Sequence, residues 1–369
     1  MHPVRATIRK EKRVNVRGGG MTNRRTAVRL KILSLVAIIA PAIAHSHHSV
    51  SAWFEREGLQ EVEGVVTEVR WENPHVRWFM RAPTTNGGET TWEIETLSVS
   101  GISRWGITEE LLPVGSRVRV SGWPSRRGLN NIFVRNVLLP SGKELVLGGE
   151  PIYSQDTLRG LEFVDAVDGV AADAQRGIFK VWSQGRGAGW LFPEGFVPGF
   201  DYRTYPLTAA AIEAKERFNY LEQDPTIDCK PKGMPVLMEQ PYPIEFVDQG
   251  DRILLNIEEY DVTRTIHVRN APTESSQAHS LQGFSIGRME GRDLVVRTTK
   301  INSGTFDTVG IPLSLEAWLE ERFSPSSDGS TLNYSLNVHD PVYLAAPVST
   351  GKKFIYIPGT RVEKYDCRR

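Results

Sequence analysis

The chain has 369 residues, 40% of them hydrophobic and 24% charged, which is the profile of a globular protein and excludes wholesale disorder. No apolar stretch beyond residue 44 approaches the roughly 18 residues of a membrane span, so a membrane-embedded body is excluded. Residues 1–44 contain ten basic residues and one acid, so the remainder carries 34 bases and 43 acids, and a surface of that sign argues against binding to long nucleic acids.

The N-terminal segment has the pattern of an export signal. From Met21, basic residues are followed by an apolar run from Ile32 to Ile43 and by small residues that end at Ala44. That order is typical of a cleavable secretory signal, and the run is too short to span a bilayer. We predict a periplasmic or secreted protein with cleavage after Ala44, whereas cleavage after Ser46 and an uncleaved anchor helix are the alternatives. Residues 1–20 indicate a start placed too early, with the true start at Met21.

Residues 45–148 predict a small five-stranded barrel of the OB type. Residues alternate between polar and apolar in five segments, and a short stretch with helical spacing lies between the third and the fourth. Three strands, one helix and two strands is the order of that barrel, and central glycines suit its coiled strands. The strands are expected at residues 59–71, 75–81, 90–95, 117–123 and 130–139, and the helix at 98–105.

A linker at residues 149–176 and a larger β domain at 177–369 follow. One helix is expected where apolar residues recur at helical spacing from Leu207 to Leu221. Eight strands with short turns then predict an antiparallel, lipocalin-like up-and-down barrel, with a β-sandwich as the alternative. These strands are expected at residues 244–247, 252–259, 262–268, 284–288, 294–299, 315–323, 331–338 and 353–357. The whole chain is thus predicted to be all-β with one main helix.

Each half contains short motifs. The motifs of the first half are His47-His48-Ser49, Trp71-Glu72-Asn73-Pro74-His75-Val76 and Gly115-Ser116-Arg117-Val118. Those of the second half are residues 229–235, 241–245 and 285–291. Through these motifs, residues 45–148 resemble an uncharacterised family of exported bacterial proteins, and the second half resembles another exported bacterial group of unknown function. The resemblance implies export and an all-β build, and it implies no established activity.

The mature chain would contain two cysteines, Cys229 and Cys367. An even pair in an oxidising compartment predicts one disulfide, with two unpaired thiols as the alternative. The bond would close a long loop within the second domain, and its loss is expected to leave the first domain untouched.

The sharpest functional prediction concerns four histidines, His45, His47, His48 and His75. Imidazole is a common ligand of transition metals, and a free amine with His at the third position can bind copper or nickel through four nitrogens. Cleavage after Ala44 would create that arrangement. Cleavage after Ser46 would instead let His47 supply its amine and ring, with His75 completing the site. A solvated polar start, with His75 bonded within its turn, is the alternative.

Two further hypotheses concern the larger domain. It could carry a small apolar ligand, lined by aromatic residues at the wall or mouth of the barrel. It could also be an enzyme acting on such a ligand. The predicted ligand-binding residues are Trp190, Phe192, Trp318, Tyr334 and Tyr356, and the polar candidates for catalysis are Glu245, Arg264 and His267. The acidic run Glu258, Glu259 and Asp261 is interpreted as a solvated edge, with a buried acid and base pair as the alternative.

Overall fold

The computed structural model describes residues 50–103, 106–159, 171–184, 204–223, 225–240, 242–307 and 310–368. The predicted signal segment and the predicted cleavage sites lie outside this part of the chain. None of the helices within it is long and apolar enough to cross a membrane. The two barrels described below belong to one compact unit, which spans residues 44–369.

The first half forms a small closed barrel of five strands, as predicted. Its elements are α1 (Val50–Trp53), β1 (Gln60–Arg70), β2 (Arg77–Pro83), β3 (Glu89–Glu95), α2 (Val99–Ser103), β4 (Arg117–Pro124) and β5 (Asn131–Leu138). Strand β1 pairs antiparallel with β2 and β4, β2 with β3, and β4 with β5, and a parallel β3–β5 pair closes the barrel. Helix α2 lies between the third and fourth strands, so the predicted order of elements is confirmed.

Strand β1 shows why the sequence folds in this way. Val62 and Val66 are buried while Glu61 and Glu63 are exposed, which is the alternation of a strand with one face in a core. Gly64 allows β1 to coil tightly against β2, because a Cβ there would lie 2.5 Å from the carbonyl oxygen of Arg81.

Part of the predicted linker is attached to the small barrel. Strand β6 (Glu144–Val146) pairs with β5, and β7 (Thr157–Arg159) pairs parallel with β6. Between them, the buried Glu144 carboxylate accepts hydrogen bonds of 2.7 to 3.1 Å from the N–H groups of residues 152–154. Burial alone would raise the pKa of Glu144, but these hydrogen bonds outweigh it and the pKa is lowered.

The second half forms a closed barrel of nine strands, so the predicted barrel is confirmed and the alternative of a β-sandwich is wrong. The strands are β8 (Val181–Gln184), β9 (Ile244–Asp248), β10 (Arg252–Ile257), β11 (Val262–His267), β12 (Phe284–Glu290), β13 (Asp293–Thr299), β14 (Trp318–Pro325), β15 (Thr331–His339) and β16 (Val348–Ile355). Eight of them match the predicted strands, and β8 closes the barrel between β16 and β9.

One strand pair departs from the predicted up-and-down order. Strands β11 and β12 are parallel, with Ile266 opposite Ser285. Their connection runs from residue 268 to residue 283, which is long enough to return the chain to the same end of the barrel. Parallel neighbours need a crossover of about a dozen residues, which this connection provides.

Alternating side chains fill the interior of the larger barrel. On β15, the residues Leu332, Tyr334, Leu336 and Val338 are all buried. Phe323 packs between Phe246 and Tyr334, with ring centres 5.1 and 4.8 Å away. The described interior is therefore a packed core.

The helix predicted near residue 207 is split in two. Helix α4 (Ala209–Glu216) begins after Thr208, whose hydroxyl accepts a hydrogen bond from the Ala211 N–H at 3.3 Å. Helix α5 (Tyr220–Gln223) begins anew because the Asn219 N–H donates to the Gln223 side chain at 2.7 Å. The apolar spacing predicted one helix, because it does not show that the Gln223 side chain binds the Asn219 N–H and starts a second helix there.

Cys229 and Cys367 form a disulfide, which confirms the predicted pairing. It fastens the C-terminal tail, here defined as residues 361–368. The tail also contacts the small barrel, since Cys367 forms a β-bridge with Asn73 and the Arg368 N–H donates to the Asn73 carbonyl at 3.1 Å. The tail therefore contacts both barrels, and the effect of losing the bond on the first domain stays a prediction.

Candidate functional site

The connection between β1 and β2 joins the small barrel to the C-terminal tail through Asn73. The side chain is buried, and its Nδ2 donates a hydrogen bond to the carbonyl oxygen of Tyr365. Its Oδ1 accepts one from the Val99 N–H at 2.9 Å. Both ends of the amide are thus used, and they fix the segment that presents His75.

His75 is held with one particular ring nitrogen directed at a carboxylate. Its Nδ1 lies 2.8 Å from the carbonyl oxygen of Thr96. A carbonyl only accepts, so Nδ1 carries the hydrogen and Nε2 holds the lone pair of the neutral ring. Nε2 lies 3.7 Å from Oε1 of Glu95, and the two side chains are 16% and 4% exposed. Metal-binding histidines use the same support, with one ring nitrogen on a backbone carbonyl and the other on the metal.

The surroundings of His75 favour a cation. Arg77 is bonded to Glu72 at 2.7 Å and lies 3.7 Å from Glu93, so its charge is directed toward those two carboxylates. Glu95 is a third carboxylate and faces the imidazole. The charge of Arg368 also interacts with that of Glu72, so these three carboxylates face two guanidinium groups and keep a small negative balance.

The described start of the chain lies near His75. The ring of Phe133 is 5.6 Å from that of Phe54 and 6.2 Å from that of His75. Phe54 closes the first helical turn, because its N–H donates to the carbonyl of Val50. One aromatic ring therefore separates the His75 region from the helix that begins two residues after His48.

Of the four histidines predicted as metal ligands, the structure describes His75. His45, His47 and His48 lie outside the described residues. Within the described ranges, no group of three or more His, Cys, Asp or Glu side chains is arranged to hold a metal ion. His75 and Glu95 would thus supply two ligands, and further ligands would have to come from elsewhere.

A charged network crosses the interior of the larger barrel. Arg264 binds Glu321 with two hydrogen bonds of 3.0 and 2.7 Å, and both side chains are buried. The Tyr334 hydroxyl donates to Glu321 at 3.0 Å, and Ser285 and Thr298 bind the same guanidinium. Burial raises the pKa of Tyr334 well above its usual value, and the charge of Glu321 adds to that rise.

The residues predicted to bind an apolar ligand are not brought together. Tyr334 lies inside the barrel, and Tyr356 lies at one rim, where its hydroxyl donates to Asp173. Trp318 is on the outer face, stacked on His339 with ring centres 3.7 Å apart. Trp190 and Phe192 lie outside the described residues.

The three candidates for catalysis also occupy different surroundings. The side chain of Arg264 points into the barrel, while Glu245 and His267 occupy strand positions that face away from the core. Glu245 accepts a hydrogen bond from Asn256 at 3.2 Å, and the ring of His267 lies beside that of Phe284. The structure therefore does not assemble them into one site.

In the acidic turn between β10 and β11, Glu258 and Glu259 are buried while Asp261 is exposed, so the interpretation as a solvated edge is wrong for the two glutamates. Glu258 is 0% and Glu259 2% exposed. Lys232 lies 2.7 Å from Glu259, and the Glu363 N–H donates to Glu258 at 3.0 Å. Segments far away in the sequence cover the turn, and no local pattern could show that.

A buried acid–lysine cluster adjoins this turn, consisting of Lys232, Glu239, Glu259, Asp307 and Lys352. Burial raises the pKa of Glu239 to about 8, and the charge of Asp307 adds to it. Burial lowers the pKa of Lys352 to about 7, against the attraction of Glu239 and Glu259. The Lys352 ammonium donates to the carbonyl of Gln240 at 2.7 Å. Both groups therefore change protonation near neutral pH.

Sequence reasoning missed Glu321, Glu239 and Lys352. Alternation along the strand could have shown Glu321, because it shares the inward face with Leu319 and Phe323. Lys352 likewise shares its face with Thr350 and Phe354. Glu239 follows a 3-10 turn at Val236–Met238, where no periodic pattern marks it.

Fold and site define an all-β protein of two barrels, fastened by a C-terminal tail and with a His–Glu pair in the smaller barrel. Residues 34–132 match the model of a family of unknown function, DUF6152. That match includes the three motifs of the first half and ends within β5. No curated protein matches the chain. The resemblance of the second half stays a prediction.

Proposed function

We propose that the protein is an exported binding protein whose small barrel binds Cu(II) or a related divalent ion. The built-in ligands are His75 and Glu95, and the histidines of the mature N-terminus complete the site. The observation that carries this proposal is the hydrogen bond from His75 Nδ1 to Thr96, which directs Nε2 toward Glu95.

The distance between the two groups suits a shared ion. The 3.7 Å between Nε2 and Oε1 is longer than a hydrogen bond. Two ligand atoms at this separation can each lie about 2.1 Å from one ion between them, which is the usual bond length for imidazole and carboxylate ligands. Borderline metals such as Cu(II) and Zn(II) accept both ligand types, and the Irving–Williams order favours copper.

The proposal joins the N-terminal histidines to this pair through the described start of the chain. Helix α1 begins at Val50, and the rings of Phe54 and Phe133 lead from it to His75. His48 is two residues before that helix in the sequence. Cleavage after Ala44 or Ser46 would add an α-amine, and the tail chelate predicted from His45 and His47 is the competing mode of binding.

Titration of the exported, processed protein with Cu(II) tests the proposal. We expect one ion per chain, and His75→Ala should weaken binding about 100-fold because a ligand is lost. Glu95→Gln should weaken it less. His267→Ala is the matched control, since His267 lies on the larger barrel and should leave affinity unchanged. Wild-type affinity in His75→Ala would overturn the built site.

A form with one extra residue before His45 separates the two modes. It displaces His47 from position three, so a tail chelate would lose its tight binding. A site built on His75 would keep most of its affinity, because the imidazoles remain available.

The alternative functions predicted from the sequence have weaker support. An apolar ligand inside the larger barrel would have to displace Phe246, Phe323 and Tyr334, which are packed together in the described interior. An enzyme using Glu245, Arg264 and His267 would need them in one place, and they face different surroundings.

A further inference from the structure

A cleft of about 550 Å³ opens at one rim of the larger barrel. One wall is the segment that follows α3 (Ala171–Ala174), and the other consists of the β12–β13 and β14–β15 turns. Its volume lies within the roughly 300 to 1,000 Å³ of pockets that bind small organic molecules. The lining residues that matter here are Arg176, Phe179, Met289, Arg292 and Ser327.

The charged residues that line the cleft are cationic. Arg176 and Arg292 are exposed at its surface, and no acid is among its described lining residues. Arg292 is held in place, because it donates to the carbonyls of Ser327 at 3.1 Å and Ala174 at 3.0 Å. Its guanidinium therefore presents a fixed positive edge to the cleft.

The acidic residues behind the rim already have hydrogen-bond or ion-pair partners. Asp173 accepts a hydrogen bond from Tyr356 and lies 3.5 Å from Arg176. Asp328 is bound by Ser326 and Ser330. Lys180 adds a third cation behind the wall. Burial lowers its pKa, the charge of Asp173 opposes that shift, and the charges of Arg176 and Arg292 add to it.

The cleft also has an apolar side. Met289 is 44% exposed although it is a large hydrophobic residue, and Phe179 is half-buried beside it. An ion alone would not use these side chains. A purely apolar ligand would gain nothing from two arginines.

We propose that this cleft binds a small amphipathic organic anion, a carboxylate carried on an apolar chain, with its charge on Arg176 and Arg292 and its chain on Met289 and Phe179. Planar guanidinium groups match a carboxylate with paired hydrogen bonds. None of the residues that line this cleft belongs to the His75 site, so anion binding can be tested independently of metal binding.

Titration calorimetry with decanoate below its micelle concentration tests the proposal on the metal-free full-length mature protein. We expect one decanoate per chain, and affinity at least about tenfold higher than for decanol, acetate or decyltrimethylammonium. Decanol lacks the charge, acetate lacks the chain, and the ammonium compound reverses the charge. Equal binding of decanol, or no binding of decanoate, would overturn the proposal.

The methionine methyl groups report where the ligand binds. Met80, Met234 and Met238 are at most 1% exposed, and Met289 is the exposed methionine of the described chain. In a sample with carbon-13 methionine methyls, decanoate should shift the Met289 signal and leave the buried three in place. Met289→Leu assigns the signal. Shifts confined to other methionines would contradict the site.

A pair of arginine variants completes the test. Arg176→Gln should weaken decanoate binding about tenfold, because it removes one of the two charges. Arg288→Gln is the control, since Arg288 is exposed, pairs with Glu290 and does not line the cleft. Equal loss in both variants would mean that general surface charge, and not this cleft, attracts the anion.

Discussion

Asn73 of the small barrel donates a hydrogen bond to the carbonyl oxygen of Tyr365, although 292 residues separate them in the chain. The same amide accepts the Val99 N–H, so one side chain ties together α2, the β1–β2 connection and the C-terminal tail. Tyr365 in turn contacts the Tyr242 hydroxyl at 3.2 Å, and its N–H donates to Asp261 at 3.0 Å. The Asn-Pro-His motif is therefore a joint between the two barrels as well as the support of His75.

Asn73→Ala should destabilise the protein by about 2–3 kcal/mol. The substitution leaves a buried carbonyl and a buried N–H without their partner, and each such loss costs about 1–3 kcal/mol. Urea denaturation measures the change. Asn130→Ala is the control, because the exposed Asn130 side chain donates to Thr90 and its loss should cost little. Equal losses in the two variants would contradict the role of Asn73 as a joint.

Cys367→Ser should lower stability by about 4–5 kcal/mol, as the chain-entropy model gives for a loop of this length. Because the tail contacts Asn73, the effect should reach the small barrel. Hydrogen exchange should quicken at the amide of Val99 as well as in the tail. Wild-type protein with reductant should behave like the variant. Unchanged hydrogen exchange at Val99 would show that the stability of the small barrel does not depend on the disulfide.

The raised pKa of Glu239 predicts stability that falls as pH rises. The folded state holds this proton with a pKa of about 8, above the ordinary value of 4.5 for a glutamate side chain. The corresponding stability is present below pH 4.5 and is lost as pH rises toward 8. Lys352 opposes the loss only above about pH 7, where its depressed pKa lies. The fall should therefore be steepest between pH 5 and 7.

Glu239→Gln tests this relation, because the amide resembles the protonated carboxyl. The variant should unfold with a flatter pH profile and should be more stable than the wild type at pH 7.5, by about 2–3 kcal/mol. The control is Glu316→Gln at an exposed position. A Glu239→Gln profile parallel to that of the wild type would contradict the assignment.

Removing one partner of the Arg264–Glu321 pair should lower the free energy of unfolding strongly, whereas replacing both partners should lower it little. Arg264→Met or Glu321→Leu alone leaves a buried charge and should cost about 3–5 kcal/mol. The double variant should recover most of that loss, since both charges disappear together. Chemical denaturation of all four proteins gives the coupling. Additive losses would mean that the two charges do not depend on each other.

Much of the fold could be predicted, because strands with one buried face alternate visibly. Leu332 to Val338 shows this, and the disulfide was predicted from an even pair of cysteines together with the predicted export signal. The parallel β11–β12 pair was missed because short-range patterns do not show which strands meet across a long connection. The buried state of Glu258 was missed because its cover, Glu363, is 105 residues away.

The candidate site was predictable only in part. His75 was predicted from its residue type and its motif, and Arg264 was only one of the polar residues named as candidates for catalysis. Glu95, the partner of His75, gave no signal of its own, because a glutamate at a strand end is usually solvated. Its role depends on the turn that places His75 beside the end of β3. That contact belongs to the tertiary structure and is not visible in a local sequence pattern.

Electron paramagnetic resonance of the processed protein with one equivalent of Cu(II) is the most direct test of the central claim. For a site built on His75, we expect a single copper species whose nitrogen couplings change on His75→Ala and stay unchanged on His267→Ala. The signal should weaken as pH falls below about 6, because histidine ordinarily gains a proton near 6.5 and must be neutral to bind. A spectrum that is identical with and without His75, and that disappears when residues 45–49 are removed, would contradict the account and assign copper to the tail alone.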